Sequence, residues 1–190
     1  DSGVMPPELQ AKYPEIVSLS GIDGEGRSAR VDISPSGLQA MVFDSDGVWI
    51  VRPEMREGAG NRYMSYRRAD VAMPTEKFQC ETHEDALQAS RPSLLGDGRP
   101  ASTLVSTGAS TRNYRAAVAA NHNYVAAVCP GNLTVACGLG QVVLAMNRVN
   151  QVYETELGVH LTLIADNDKI IYPLASGNPA PTTPTRPSSS

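Results

Sequence analysis

Aromatic side chains are scarce in this 190-residue chain: one Trp and two Phe, and 5% even with Tyr counted. A core must therefore be packed from Val, Ile, Leu, Met and Ala. Histidine is equally sparse, at three residues, which restricts imidazole chemistry to His83, His122 and His160. Three cysteines, Cys80, Cys129 and Cys137, are too few for a disulfide scaffold, and their odd number leaves one without an internal partner. No apolar run approaches the roughly 20 residues of a membrane helix, so no membrane association is expected. Basic residues (16) are fewer than acidic ones (20), giving a net charge of -4. A pI near 5.4 argues against a phosphate-neutralising nucleic-acid binder. The chain as given opens at Asp1 with no Met, no charged leader and no apolar signal core, which reads as a processed or truncated N-terminus.

Glycine (16) and proline (14) are plentiful and make the chain rich in turns. The length suits one ordinary domain or two small ones, though two cores of about 80 residues would each be marginal. The first 70 or so residues read as short strands: Ile16-Val-Ser-Leu, Ala29-Arg-Val-Asp-Ile33, Leu38-Gln-Ala-Met-Val-Phe43, Val48-Trp-Ile-Val51 and Tyr63-Met-Ser-Tyr66. Turn signals separate them, among them Gly24-Glu-Gly26, Ser34-Pro-Ser-Gly37, Asp46-Gly47 and Gly58-Ala-Gly60. Alternating runs at a spacing of about 8–12 residues predict an antiparallel sheet. Pro7 and Pro14 leave room for a single helical turn over 8–12.

The pattern breaks over 81–111, which is expected to be either an exposed connection or a long loop within one domain. Beyond it, Tyr114-Arg-Ala-Ala-Val-Ala-Ala fits helix or strand, and Asn121-His-Asn-Tyr124 interrupts it. The strongest helical signal covers 138–157, where Leu139, Val142, Val143, Met146, Val149, Val152 and Tyr153 form one stripe. Glu154 and Glu156 oppose the helix dipole near its end, and Gly158 suits a left-handed cap. Val159-His-Leu-Thr-Leu-Ile164 reads as a strand, followed by an Asp166-Asn-Asp168 turn and a short strand at Ile170-Ile-Tyr172. The last residues, 176–190, are Pro, Thr and Ser, and are expected to be disordered.

The residues alone display no complete active site. His83-Glu84 begins like a zinc-protease helix, but Leu87 stands where a second histidine is needed. His122 and His160 lack a ligand pattern. Asp44, Asp46 and the Asp166-Asn167-Asp168 group offer oxygen ligands to calcium, but without EF-hand spacing, and turns use the same residues. Cys129 and Cys137 flank the turn-forming Pro130-Gly-Asn132, which can bring them together as a disulfide; the alternative is two buried thiols.

Three segments resemble a known family. Arg112-Asn-Tyr-Arg-Ala-Ala-Val-Ala-Ala-Asn-His-Asn-Tyr124, Met146-Asn-Arg-Val-Asn-Gln-Val-Tyr-Glu154 and Leu161-Thr-Leu-Ile-Ala-Asp-Asn-Asp168 look like the start of the catalytic domain in bacterial secreted reprolysin-like zinc metalloproteases of the metzincin group. They occur in order and cover roughly 112–172. Ser34-Pro-Ser-Gly-Leu-Gln-Ala-Met41 and Tyr63-Met-Ser-Tyr-Arg-Arg-Ala-Asp70 resemble the family's propeptide. The resemblance implies an α+β chain: a β-rich prodomain-like region (1–80), a linker (81–111) and the first strand, helix and strand of a metzincin-like catalytic domain (112–175), then the tail. It implies a precursor of a secreted or periplasmic zinc endopeptidase acting on protein or peptide substrates. The family's HExxHxxGxxH motif is missing, so no zinc ligand transfers and the chain as given is expected to be inactive. The other class of reading is a secreted non-catalytic interaction module. By the same resemblance, Cys80 is placed where related prodomains carry a cysteine that blocks the catalytic zinc. The alternatives for Cys80 are a small apolar residue at a strand end or an intermolecular disulfide.

Overall fold

The computed structural model describes residues 1–55, 62–72 and 110–177. Cys80, His83, the Gly58-Ala-Gly60 turn, all of the 81–111 connection except Ser110 and Thr111, and the tail from Asn178 onward lie outside the described residues.

A short helix, α1 (Pro7–Lys12), precedes five strands: β1 (Val17–Ile22), β2 (Ser28–Ser34), β3 (Gly37–Asp44), β4 (Gly47–Pro53) and β5 (Tyr63–Arg67). They form an antiparallel meander in sequence order. Two of the turns have a local cause in an aspartate side chain. Asp23 accepts from the backbone N–H of Glu25 and of Arg27, both at 2.9 Å, and so closes the β1–β2 loop. Asp44 pairs with Gly47 across a two-residue turn, and the Asp44 carboxylate accepts from the Asp46 N–H. The mixed α+β class follows from what comes next: β6 (Arg112–Ala116), α2 (His122–Val128), α3 (Val135–Leu157) and β7 (Val159–Leu163). Strands β6 and β7 pair in parallel, so the chain between them must cross over, and α3 is that crossover.

Three local readings differ from the structure. Asn121-His-Asn-Tyr124 does not interrupt an element but starts one: the Asn121 side chain accepts from the Tyr124 N–H at 2.9 Å and caps α2. Residues 170–172 make no strand. A 3-10 turn (Asn167–Ile170) is followed by one parallel bridge between Ala120 and Ile171. The predicted long helix begins three residues early, at Val135, because Thr134 accepts from the Cys137 N–H. It ends as expected at Gly158, whose φ of 61° closes the left-handed cap.

Helix α3 lies between two layers. One side packs with Val4, Met5, Leu9 and Ile16 of the N-terminal segment and with Leu163 and Ile171, around Leu139, Val142, Val143 and Met146. The other side meets the meander. Gly140 permits that approach, since a Cβ there would stand 2.9 Å from the Ser34 Cβ. The regions on either side of 81–111 thus share one core among the described residues. The N-terminal segment also ties the layers by backbone: the Ser2 N–H donates to Ser18 O of β1, and the Leu163 N–H of β7 donates to Val4 O.

The two faces of the meander are unlike. Directly opposed residues share a face, so Leu19, Val31, Ala40 and Val51 stand together on the side away from α3, with Ile33 and Leu38 beside them. Leu19 and Ile33 are about 40% exposed there. Facing α3 instead are Ser18, Arg30 and Asp32, all buried, joined by Met41 and Ile50. Among the described residues no helix is long and apolar enough to cross a membrane.

Cys129 and Cys137 are joined by a disulfide that closes an eight-residue span between α2 and α3. Both are buried in the shared core. Loop closure of that length contributes about 2.5 kcal/mol in the chain-entropy view. The double substitution Cys129→Ser, Cys137→Ser is expected to lower the unfolding free energy by about that amount or more, read from urea melts of the oxidised protein and its variant.

Candidate functional site

The residues with chemical potential gather where α3 crosses β1 and β2. Asn147 is fully buried at the crossing. Its amide nitrogen lies within hydrogen-bond distance of Leu19 O (3.2 Å) and of both Asp32 carboxylate oxygens (3.1 Å each). Its amide oxygen accepts from Arg30 Nη1 at 3.3 Å. Asp32 also accepts from the Ser18 hydroxyl at 2.6 Å, and Ser2 donates to Ser18 in turn. Arg30 spreads its fork further, with Nε on Gln151 Oε1 at 2.7 Å and Nη2 on the Glu154 carboxylate. The other Glu154 oxygen lies 2.6 Å from His160 Nδ1. One polar chain therefore runs His160–Glu154–Arg30–Asn147–Asp32–Ser18–Ser2 across the layers.

Its spacing comes from the helix. Positions 147, 151 and 154 recur at three- and four-residue steps, so Asn147, Gln151 and Glu154 share the face turned toward β2. Two further buried asparagines act on the opposite layer. Asn150 donates from Nδ2 to Leu161 O and accepts the Leu161 N–H on Oδ1, both at 2.9 Å, a copy of strand pairing made by a side chain. Asn167 does the same to Val118, at 3.0 and 2.8 Å. Each fixes a segment of backbone that lacks a strand neighbour there.

The electrostatics centre on Asp32. Burial pushes its carboxyl up to about 6, against the hydrogen bonds from Ser18 and Asn147 and the charges of Arg148 and Arg30, which pull it down. Elsewhere the balance is reversed: the Arg27 hydrogen bond holds Asp23 below the usual carboxylate range, and the Lys12 hydrogen bond does so for Asp166.

The histidines and acidic groups singled out in the sequence are mostly committed. His160 Nε2 lies 3.2 Å from Gly3 O, so both ring nitrogens face acceptors. His122 Nδ1 lies 2.7 Å from Pro173 O. Asp166 and Asp168 take Lys12 at 3.2 and 3.3 Å, and Asp44 accepts from the Trp49 indole at 3.1 Å. Among the described residues no group of three His, Cys, Asp or Glu could hold a metal ion. Cys80 lies outside the described residues.

Sequence reasoning missed the polar chain. Its members sit in a strand whose alternation marks Val31 and Ile33, not Arg30 and Asp32, as the inward set. The one available signal was Glu154 near a helix C-terminus, where an acidic side chain is unfavourable without a cation beside it. Arg30 occupies that position, and His160 Nδ1 faces the other carboxylate oxygen.

A pH dependence follows from Asp32. Its carboxyl is raised in the folded protein, so protonated Asp32 favours the fold. That contribution is complete below about pH 4, declines through pH 6 and is absent above it, a span on the order of 2–3 kcal/mol. Asp32→Asn keeps the size and the acceptor oxygen but cannot ionise. The stability of Asp32→Asn relative to the parent should rise between pH 4.5 and 7, measured by urea unfolding at each pH; a constant difference would place the titration elsewhere.

Compared with protein families, with curated proteins and with solved structures, the chain shows no match to any of them.

Proposed function

We propose that this chain is the N-terminal part of a secreted zinc metalloendopeptidase precursor. In this reading residues 1–80 act as a prodomain, and 112–175 supply the first strand, helix and strand of the catalytic domain. The observation that carries it is the ordered set of three motif-like segments, with Met146-Asn-Arg-Val-Asn-Gln-Val-Tyr-Glu154 the most specific. The architecture is compatible: those segments coincide with β6, α3 and β7, a parallel pair joined by a helical crossover. The disulfide between Cys129 and Cys137 suits an exported protein.

The zinc, its three histidine ligands and the general-base glutamate belong to sequence downstream of this chain in the parent. With Cys129 bonded to Cys137, Cys80 has no other cysteine of this chain to pair with. It is the candidate to occupy the open position of that zinc until the prodomain is cut away, because thiolate is a strong zinc ligand.

The deciding experiment is to sequence the transcript beyond Ser190 and express the extended product. An in-frame HExxHxxGxxH and chelator-sensitive peptide hydrolysis are expected. A transcript that ends without the motif overturns the protease reading in favour of a secreted interaction module, with the apolar outer face of the meander as the surface to probe. The 190-residue chain itself is expected to bind no stoichiometric zinc by metal analysis and to cleave no casein. In the extended precursor, Cys80→Ser should speed self-activation; unchanged latency removes Cys80 from that role.

A further inference from the structure

We propose that the cleft between α3 and strands β3–β5 is a carboxylate site, in which Arg52 and Arg148 hold the anionic head of a compact, partly aliphatic acid. The inference is independent of the protease reading.

Three atoms carry it. Arg52 Nε, Arg148 Nε and Arg148 Nη2 are buried and make no hydrogen bond; among the described residues they are the only buried side-chain nitrogen or oxygen atoms in that state. Buried polar atoms in folded proteins are almost always paired, and a charged donor left unpaired is costly. The contrast within this molecule is sharp, since Arg30, on the same face of the sheet, bonds through all three of its nitrogens.

Both unsatisfied arginines line one cleft of about 240 Å³. Among the described residues no carboxylate lines it with them. The acid that acts on Arg148 is Asp32, and its oxygens are already taken by Ser18 and Asn147. Burial and the like charge of Arg52 both hold the Arg148 guanidinium below its ordinary range, with burial the larger cause. An anion placed between the two cations relieves both. Arg52 lies over the Tyr66 ring at 5.6 Å, and its Nε has no acceptor.

The remaining lining selects the kind of anion. Ile50, Pro53, Met55, Val128 and Leu144 form an apolar part, while Gln39 and Gln141 add amides and Ser36 a hydroxyl that already faces Cys137 Sγ. A fully hydrated oxyanion gains nothing from those walls, whereas a carboxylate with a short branched body uses both parts. Guanidinium forks match the planar carboxylate geometry.

The test uses the full 190-residue chain at fixed ionic strength. Isovalerate is titrated while the arginine Nε–H resonances are followed in nitrogen-15 spectra, with the thermal midpoint as a second readout. Uncharged isovaleramide and inorganic phosphate are run in parallel. Saturable shifts at Arg52 and Arg148 with isovalerate are expected, with little response to the amide and weaker binding of phosphate. Arg148→Gln and Arg52→Gln should each weaken isovalerate binding by ~tenfold or more, the range of one charge-assisted pair. No saturable shift in the parent chain overturns the proposal, as does phosphate binding as tightly as isovalerate, or wild-type affinity in Arg148→Gln. Should a variant fail to fold, the titration of the parent chain decides alone.

Discussion

The contact of α3 with strands β1 and β2 depends on the hydrogen bonds of one buried side chain, the Asn147 amide. It contacts Leu19 O, Asp32 and Arg30, and so reaches two strands at once. Around it the inner face of β1 and β2 is polar: Ser18, Arg30 and Asp32 replace the aliphatic residues that usually pack a helix on a sheet. Hydrophobic area cannot carry the contact at that end. Met41 and Ile50 supply it further along, toward β3 and β4. A polar network in this position is cohesive only while every member is satisfied, because an orphaned charge in a low dielectric costs more than an apolar replacement would. The chain from His160 to Ser2 meets that condition, and the two arginines beside it do not.

This arrangement also gives a physical reading of the most specific motif in the sequence. Of its nine residues, Asn147 clamps the meander, Asn150 clamps β7, and Glu154 neutralises Arg30 and faces His160. Asn167, from the third segment, clamps Val118. Amide side chains suit the task because one group offers both a donor and an acceptor, as the backbone does. These positions look like binding residues in a sequence, polar and set in an apolar helix. In the structure they are backbone fasteners.

What the sequence made legible was what obeys local rules. The strands of the meander, the turn at Asp44, the long helix and its Gly158 cap all follow from periodicity and turn chemistry that act within a few residues. The cap at Asn121 obeys a local rule too, but histidine and asparagine around it masked the start of α2. The inverted face of β2 was not legible. Alternation reports that two faces differ, and cannot report which one meets a helix 115 residues away. Nor was the sharing of one core across 81–111 legible, since a composition break looks the same whether or not the flanking pieces pack together. Val4, Met5, Leu9 and Ile16 sit in a short segment with too little periodicity to announce that they fill the core beneath α3.

The shared core constrains how a prodomain, if residues 1–80 are one, could leave. Cutting the connection would not release it, because the N-terminal segment fills core space beside Leu139 and Val143 and bonds to β7 through Gly3 and Val4. Departure would strip Asn147 of all its partners and expose the aliphatic stripe of α3 to water. Removing one side of such a contact costs several kcal/mol, since buried groups are left unpaired on both pieces. Asp32 works in the opposite sense. Its ionised form is disfavoured where it sits, so near neutral pH the contact already bears a strain that leaving would relieve. The contribution of Asp32 to the docked sheet is therefore largest in mild acid and is lost above pH 6, so that near neutral pH its ionisation acts against the contact that Asn147 and the aliphatic stripe of α3 hold together.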